Sequence, residues 1–240
     1  YVVDVRQSLH FQQVFKTLEI AGYPWATRCQ HLSYELVNLP GNIVLASRAG
    51  ADVLLKDLVA EAINRAREVV EEKNPELPEE QKELGASAVG LGAIRYPMLA
   101  RDNTKLVTFD WETALDFNGQ AAPYIQYAHV RANSILRRMG AGLPEPLTPG
   151  YALEPSEIQL IETIARLPEE VQRAAAEYRP LIITNQAYEL AKAFTDFYNA
   201  CQVLKAEPEK RDFRLRLTAA ARLAIANSLQ LLGIQVPEVM

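Results

Sequence analysis

Two tyrosines and an arginine recur at helical spacing in the middle of the chain. Tyr124, Tyr127 and Arg131 lie at positions i, i+3 and i+7, so a helix would bring them to one side, with Arg138 two turns further on. Phenol rings can stack on unpaired nucleic-acid bases, and guanidinium groups can pair with phosphates. Amphipathic helices also carry tyrosines as core or rim residues, so the spacing alone leaves both roles open.

The helix that must carry these residues is predicted from an apolar stripe that follows Pro123. Proline suits a first helical turn because its missing N–H is not needed there, and the preceding Phe117-Asn118-Gly119 is typical of a turn. The apolar residues that recur at helical spacing are Ile125, Ala128, Ala132, Ile135 and Leu136. We expect this stripe to face other helices and the tyrosine side to be exposed.

A second group of polar residues lies where the first predicted strand, YVVDV at 1–5, becomes a helix. Asp4, Gln7 and His10 surround the carboxyl end of this strand, where parallel sheets bind ligands, although an Asp or Gln there is also a common helix cap. His31 opens HLSYELV, the next strand candidate, where a histidine can equally be a satisfied core residue. The strand–helix–strand order predicts a parallel pair and hence part of a doubly wound nucleotide-binding domain.

The stretch GNIVLASRAGA at 41–51 is a candidate phosphate-binding loop. It contains Ser47, Arg48 and Gly50 ahead of a helix that we expect from about Leu54. An arginine beside small residues could reach a triphosphate while backbone N–H groups stay free to bind it. A plain surface loop has the same composition, so the residues of this stretch leave both interpretations open.

Most of the remaining chain predicts helices joined by short links, which is the pattern of a helical bundle. The predicted helices cover 54–73, 84–99, 156–167, 169–178, 180–204 and 211–232. Ser156 and Gln159 fit a capping box at the start of one helix, and the small residues of GASAVGLGA at 85–93 predict close packing of another. VTFDW at 107–111 is strand-like.

Bulk properties restrict the function classes. The 240 residues carry a net charge of −5, so RNA binding would have to use a local basic face rather than overall charge. Cys29 and Cys201 lie far apart without metal-ligand neighbours, which is typical of free thiols in a reducing, cytoplasmic setting. No apolar run reaches transmembrane length, and we expect no metal site. A strand-like start without an initiator Met suggests a piece of a longer protein.

The stretch FNGQAAPYIQYAHVR at 117–131 resembles FxGNxxPYxQYxHxR, a signature of arginyl-tRNA synthetases at the start of their helical anticodon-binding domain. Gln120 stands where that family usually has Asn. VGLGAIRYPMLARDNTKLVTFDWETALDFNG before the motif and LLGIQVPEVM at the end of the sequence also resemble the family, in the same order. The resemblance covers essentially the whole chain, but only the C-terminal part of the family's chain.

This resemblance implies a mainly α fold. A helical-bundle anticodon-binding domain at 106–240 would be preceded by the remaining half of a Rossmann-like α/β catalytic domain at 1–53, with a degenerate KMSKS loop. Residues 54–105 would form a helical connector that contacts the tRNA stem.

The resemblance also implies roles for the residues singled out above. Gln7 and His10 map onto the family's QxxH element, so that they and Asp4 would bind the arginine substrate. The ATP-binding set would be His31, Ser47, Arg48 and Gly50. The lysines of the full KMSKS motif are absent, which leaves Arg48 as the strong cation of this loop and as the catalytic candidate. The tRNA-binding set would be Tyr124, Tyr127, Arg131, Tyr198 and Met240.

The whole enzyme implied by the family would use ATP, with Mg²⁺, to activate arginine and would then esterify tRNA(Arg). It would hold no tightly bound cofactor and would act as a cytoplasmic monomer without a membrane partner. These 240 residues contain no HxGH pattern, so we expect the chain to be inactive without the missing N-terminal half. Two alternatives remain at this point. One is a free-standing synthetase-like tRNA-binding or regulatory protein without catalysis, and the other is a helical protein-interaction module.

Overall fold

The computed structural model describes residues 1–39, 43–44, 54–140 and 142–240. The chain divides into two compact units. Unit 1 comprises residues 1–53 and 101–110, and unit 2 comprises residues 54–100 and 111–240. None of the helices in the part of the chain that the structure describes is both long and apolar enough to cross a bilayer.

Unit 1 is an α/β unit with short strands. β1 (Val2–Asp4) pairs in parallel with β2 (Leu32–Tyr34), and α1 (Ser8–Ile20) connects them, which confirms the predicted parallel pair. Two 3₁₀ turns flank α1, at Val5–Gln7 and Ala26–Arg28. HLSYELV is not one strand as predicted, because β2 ends at Tyr34 and the chain enters a different sheet after it.

That second sheet has three strands in the order β4-β3-β5. β3 (Val37–Leu39) pairs antiparallel with β4 (Ile43–Val44) and parallel with β5 (Val107–Thr108). The strand-like character of VTFDW is therefore confirmed at its first two residues. The next element, α4 (Trp111–Ala114), begins within the same stretch and belongs to unit 2.

Unit 2 is helical. Its long helices are α2 (Leu55–Lys73), α3 (Glu79–Leu99), α5 (Ala122–Met139), α6 (Pro155–Glu177), α7 (Pro180–Ala200) and α8 (Pro208–Leu231). α2 packs along α3, and α5 packs against α3, α7 and α8. The predicted close packing of α3 is confirmed at Gly90, where a Cβ would lie 2.8 Å from backbone atoms of Ala62 on α2.

α5 is the helix around which unit 2 is built. Pro123 lies in its first turn, and Gly140 ends it with a positive φ of 69° that suits glycine. The predicted apolar stripe is confirmed, since Ile125, Ala128 and Ala132 are almost fully buried in the main core cluster. The sequence pattern therefore predicts which side of α5 faces the core and which sides are left to contact other parts of the chain or a ligand.

α6 differs from its prediction in two ways. The two predicted helices, 156–167 and 169–178, form one helix, and Pro168 lies inside it. The capping box uses Glu154 and Glu157 rather than Ser156 and Gln159, because the helix begins at Pro155. The Glu157 side chain accepts the Glu154 N–H at 2.8 Å, so its carboxylate is drawn back to the start of the helix.

A buried ionic network fixes this end of α6. Arg214 of α8 donates from Nε to Oε1 of Glu157 at 2.8 Å and from Nη1 to the carbonyl of Gln202 at 2.9 Å. The Tyr151 hydroxyl donates to the same carboxylate at 2.9 Å. Burial raises the pKa of the Glu157 carboxyl, but the hydrogen bonds from Arg214, the Glu154 N–H and Tyr151 outweigh burial and hold it below its ordinary value.

Candidate nucleic-acid interface

Four of the five residues expected to bind tRNA line one cleft in unit 2, which we call the α5 cleft. Tyr127 and Arg131 come from α5, Tyr198 comes from the end of α7, and Met240 comes from the end of the sequence. The cleft has a volume of about 360 Å³. Residues more than one hundred positions apart in the chain thus meet at one place, as the resemblance implied.

Arg131 lies between the two tyrosine rings of the cleft. Its guanidinium carbon is 4.7 Å from the ring centroid of Tyr127 and 4.7 Å from that of Tyr198. Each contact is a cation–π interaction, which contributes on the order of 0.5–1 kcal/mol at an exposed site. The three side chains therefore hold one another in position before any ligand arrives. Such an arrangement can offer ring faces or edges to a base and a cation to a phosphate.

The charge of the α5 cleft is opposite to that of the chain. Arg137 and Arg138 line it together with Arg131, and none of the described residues that line it is acidic. The chain as a whole carries a net charge of −5, so the basic character is local. A local basic site of this kind attracts phosphate groups in spite of the overall negative charge.

Tyr127 is half-buried rather than exposed as expected. It packs at the edge of a small apolar cluster that includes Val70 of α2 and Val89 of α3. We expected Tyr127 to be exposed because we treated α5 as a surface helix. In the structure, residues of α2 and α3 cover part of the tyrosine side of α5. Tyr198, by contrast, is 41% exposed and contributes the more open of the two rings.

Met240 is ordered rather than frayed. Only 4% of the residue is exposed, and it packs in the same small cluster as Val70, Val89 and Val130. The Asn74 side-chain amide donates a hydrogen bond to the main-chain oxygen of Met240. Met240 therefore forms a fixed apolar part of the cleft lining, in the cluster against which Tyr127 packs.

Tyr124 does not line the α5 cleft. Its ring lies against that of Tyr188 on α7, with the centroids 5.5 Å apart, and it packs on the main core cluster. Two residues three positions apart on a helix point in directions that differ by about 60° around its axis. This difference is enough to direct Tyr124 and Tyr127 to different neighbours.

Three further polar residues of the cleft were not singled out from the sequence: Asn74, Ser134 and Arg137. Ser134 could have been found, because Tyr127, Arg131, Ser134 and Arg138 follow the helical spacing i, i+4, i+7 and i+11. Asn74 follows the end of α2, far away in sequence, and no local pattern indicates that it reaches the cleft.

Unit 1 contains the residues expected at the arginine and ATP sites. Asp4 caps the 3₁₀ turn by accepting the Arg6 N–H at 2.9 Å and binds the Arg6 guanidinium at 2.8 Å, and the Arg6 side-chain hydrogen bond lowers the pKa of this carboxyl. The alternative role of a helix cap is thus observed for Asp4. Gln7 and His10 are exposed just beyond β1.

His31 faces β1 from the start of β2. Its Nε2 is 2.9 Å from the Val3 carbonyl, to which a protonated Nε2 donates, and its ring stacks on Phe11 at 4.7 Å. Ser47, Arg48 and Gly50 lie outside the described residues. Within the described ranges, no group of three or more His, Cys, Asp or Glu side chains is arranged to hold a metal ion.

Comparison with known proteins relates both units to one family. The family model for tRNA synthetases class I (R), catalytic domain, matches residues 1–111, and that for the DALR anticodon binding domain matches residues 125–240. The arginine–tRNA ligases of Chloroflexus aggregans and Clostridium beijerinckii are 42% and 41% identical to the chain, and both matches span all of it. The chain spans 42% of each relative's length.

Solved structures agree with the sequence comparison. The arginyl-tRNA synthetase of Thermus thermophilus matches the whole chain with a TM-score of 0.89 at 39% identity, and the match covers 40% of that structure. An arginyl-tRNA synthetase from Plasmodium falciparum matches with a TM-score of 0.81 at 21% identity, a likeness that concerns the fold alone.

Proposed function

The chain belongs to the arginyl-tRNA synthetase family, and from this membership we propose that unit 2 binds the anticodon region of an arginine tRNA. The α5 cleft is the binding site in this proposal. Tyr127 and Tyr198 stack on unpaired bases, and Arg131 pairs with the adjoining phosphate. The observation that carries the proposal is the Arg131 guanidinium held between two tyrosine rings, in a cleft whose described lining contains no acidic side chain.

In the whole protein, this chain contributes to an arginine–tRNA ligase that uses ATP and Mg²⁺. Residues 1–53 belong to the catalytic domain, with Asp4, Gln7 and His10 near arginine and with His31 and the 47–50 stretch near ATP. Arg48 is the catalytic candidate of that stretch. Residues 54–105 connect to the anticodon-binding domain at 106–240, and the rest of the catalytic domain comes from the missing half. The protein acts as a monomer in the cytoplasm.

Class I chemistry asks the protein to position arginine, ATP and tRNA and to stabilise charge, rather than to form covalent bonds. A chain that binds tRNA and contributes part of the arginine and ATP site would supply such positioning. A role as a helical protein-interaction module is not favoured, because both family models describe synthetase domains and together they span most of the chain.

Tyr198→Ala tests this proposal at the more exposed ring of the cleft. We expect the variant to bind an arginine tRNA about tenfold or more weakly, because stacking contributes roughly 1–3 kcal/mol per base. Its melting temperature should change little, since Tyr198 is 41% exposed. The measurement is a fluorescence titration of labelled tRNA combined with a thermal melt of the same protein.

Tyr178→Ala is the matched control, because Tyr178 is 49% exposed and does not line the cleft. It should bind tRNA like the unmodified chain. Equal affinities for both variants, with both proteins folded, would contradict the assignment of Tyr198 to the RNA site.

A further inference from the structure

Three polar side chains on α5 do not face the cleft. Gln126, His129 and Asn133 recur at i, i+3 and i+7. Tyr124, Tyr127 and Arg131 have the same spacing but begin two positions earlier, so the two sets lie on different sides of the helix. Gln126 and His129 belong to the PYxQYxHxR stretch, yet neither lines the α5 cleft. Gln126 is fully buried and His129 is 5% exposed. Buried polar groups of this kind need hydrogen-bond partners.

Gln126 donates to the Ala88 carbonyl of α3 at 3.0 Å, and its other partner belongs to one stretch, residues 233–240, which we call the closing segment. Gln126 donates from Nε2 to the Gln235 carbonyl at 2.8 Å, and Asn133 donates from Nδ2 to the Glu238 carbonyl at 3.0 Å. The His129 ring lies close to the main chain of Pro237. The three side chains thus follow the closing segment in order along α5, and two of them donate to it.

The closing segment depends on such donors because it forms neither helix nor strand. Backbone carbonyls outside regular structure must find other partners. The Arg95 guanidinium donates to the Gly233 carbonyl, and the Asn74 amide donates to the main-chain oxygen of Met240. Side chains from α3 and α5, together with Asn74 just after α2, therefore hold the segment from its first residue to its last.

The buried position of His129 sets its protonation state. Burial, followed by the charge of Arg222, lowers the pKa of this imidazole to about 4, while the nearby main chain of Pro237 acts in the opposite direction. The ring is therefore neutral at pH 7 and carries a single N–H. Its Nδ1 is buried without a hydrogen-bond partner among the described residues.

We infer that Gln126 and Asn133, with His129 between them on α5, are positioning residues that fix the closing segment and thereby hold Met240 in the lining of the tRNA cleft, without touching RNA themselves. This inference rests on the proposed function for its RNA part. One helix then serves two purposes: Tyr127 and Arg131 face the ligand, while Gln126 and Asn133 hold the segment that completes the site.

Asn133→Ala is the variant that tests this inference, because it removes one donor without threatening the fold. Asn133 is only half-buried, and alanine is the better helix former. The first readout is the ¹³C-methyl methionine spectrum of the full chain. The three methionines are Met98, Met139 and Met240, so two of them act as internal controls.

We expect the Met240 methyl resonance to move in Asn133→Ala while those of Met98 and Met139 stay in place. An unchanged Met240 resonance would overturn the positioning role. This measurement needs no RNA, so it tests whether Asn133 positions Met240 even if the tRNA proposal fails.

The second readout is tRNA affinity in a double-mutant cycle with Met240→Ala. Asn133→Ala should weaken binding of an arginine tRNA transcript about fivefold, the scale of one hydrogen bond, and should cause no further loss when Met240 is already alanine. Two losses that add independently would overturn the claim that Asn133 acts through Met240. A moved Met240 resonance with unchanged affinity would overturn the RNA part alone.

Discussion

Glu157→Ala should destabilise unit 2 by about 3–5 kcal/mol, the largest effect we expect from any single change. The Glu157 carboxylate is fully buried and accepts hydrogen bonds from Arg214, Tyr151 and the Glu154 N–H. Removing it leaves the Arg214 guanidinium buried opposite an empty space and removes half of the capping box of α6. Leaving one buried charge without its partner costs more free energy of folding than the intact pair contributes.

The measurement is a thermal or urea unfolding curve of the variant. A loss of this size corresponds to a fall in melting temperature on the order of 10 °C for a domain of this length. Glu61→Ala is the control, because it removes an exposed ion pair with Arg65 and should cost at most about 0.5 kcal/mol. Equal melting temperatures for the two variants would show that the buried network does not stabilise the fold.

The same carboxylate makes part of the stability depend on pH. Its pKa lies lower in the folded chain than the ordinary 4.5, so the unfolded chain binds this proton more readily. The contribution is therefore complete above about pH 4.5 and is lost as the pH falls through the folded value. Glu157→Gln, which cannot titrate, should show a shallower fall in stability than the unmodified chain between about pH 5 and pH 2.

Arg131→Met should weaken binding of an arginine tRNA by one to two orders of magnitude. The substitution removes the cation between Tyr127 and Tyr198 and, with it, the expected phosphate contact. A hydrogen bond to a charged group contributes roughly 1.5–3 kcal/mol, and the two rings also lose the group that holds them in position. Methionine keeps much of the apolar length of the side chain, so the melting temperature should change far less than in Glu157→Ala.

The salt dependence of binding gives the sharper result for Arg131. A protein that loses one phosphate contact should show a slope of log affinity against log salt that is flatter by about one. Arg173→Met removes the same charge from an exposed ion pair with Glu170 outside the cleft, so its slope should not change. Equal slopes for the two variants would show that Arg131 does not contact a phosphate.

The sequence predicted best what depends on local pattern. The apolar stripe of α5, its start near Pro123 and the parallel pair of β1 and β2 all follow from spacing and residue type over a few turns. Boundaries were less secure, because Glu154 and Glu157 compete with Ser156 and Gln159 for the same capping role. The helix begins at Pro155, which makes Glu154 the residue before the first turn, and the Glu157 carboxylate also accepts a tertiary hydrogen bond from Arg214 that no local rule contains.

The candidate site was predicted in part. The resemblance grouped Tyr127, Arg131, Tyr198 and Met240, and the structure brings these four to one cleft. The half-buried state of Tyr127 was missed, because it depends on how the α2–α3 pair packs on α5 rather than on the helix's own sequence.

The donors of α5 to the closing segment were missed for the same reason. Gln126 lies more than one hundred positions from Gln235, and each gives no sign of the other in the sequence. Spacing along one helix can indicate that several polar residues share a side, but it cannot name the stretch of chain that will lie against them.

The most direct measurement of the central claim compares two halves of the same arginine tRNA. The isolated anticodon stem-loop and the isolated acceptor minihelix are each titrated into the full chain at one fixed salt concentration. We expect the stem-loop to bind the more tightly and to lose most of its affinity in Arg131→Met. A minihelix that binds as well as the stem-loop, or a stem-loop affinity that Arg131→Met leaves unchanged, would contradict the assignment of the α5 cleft to the anticodon region.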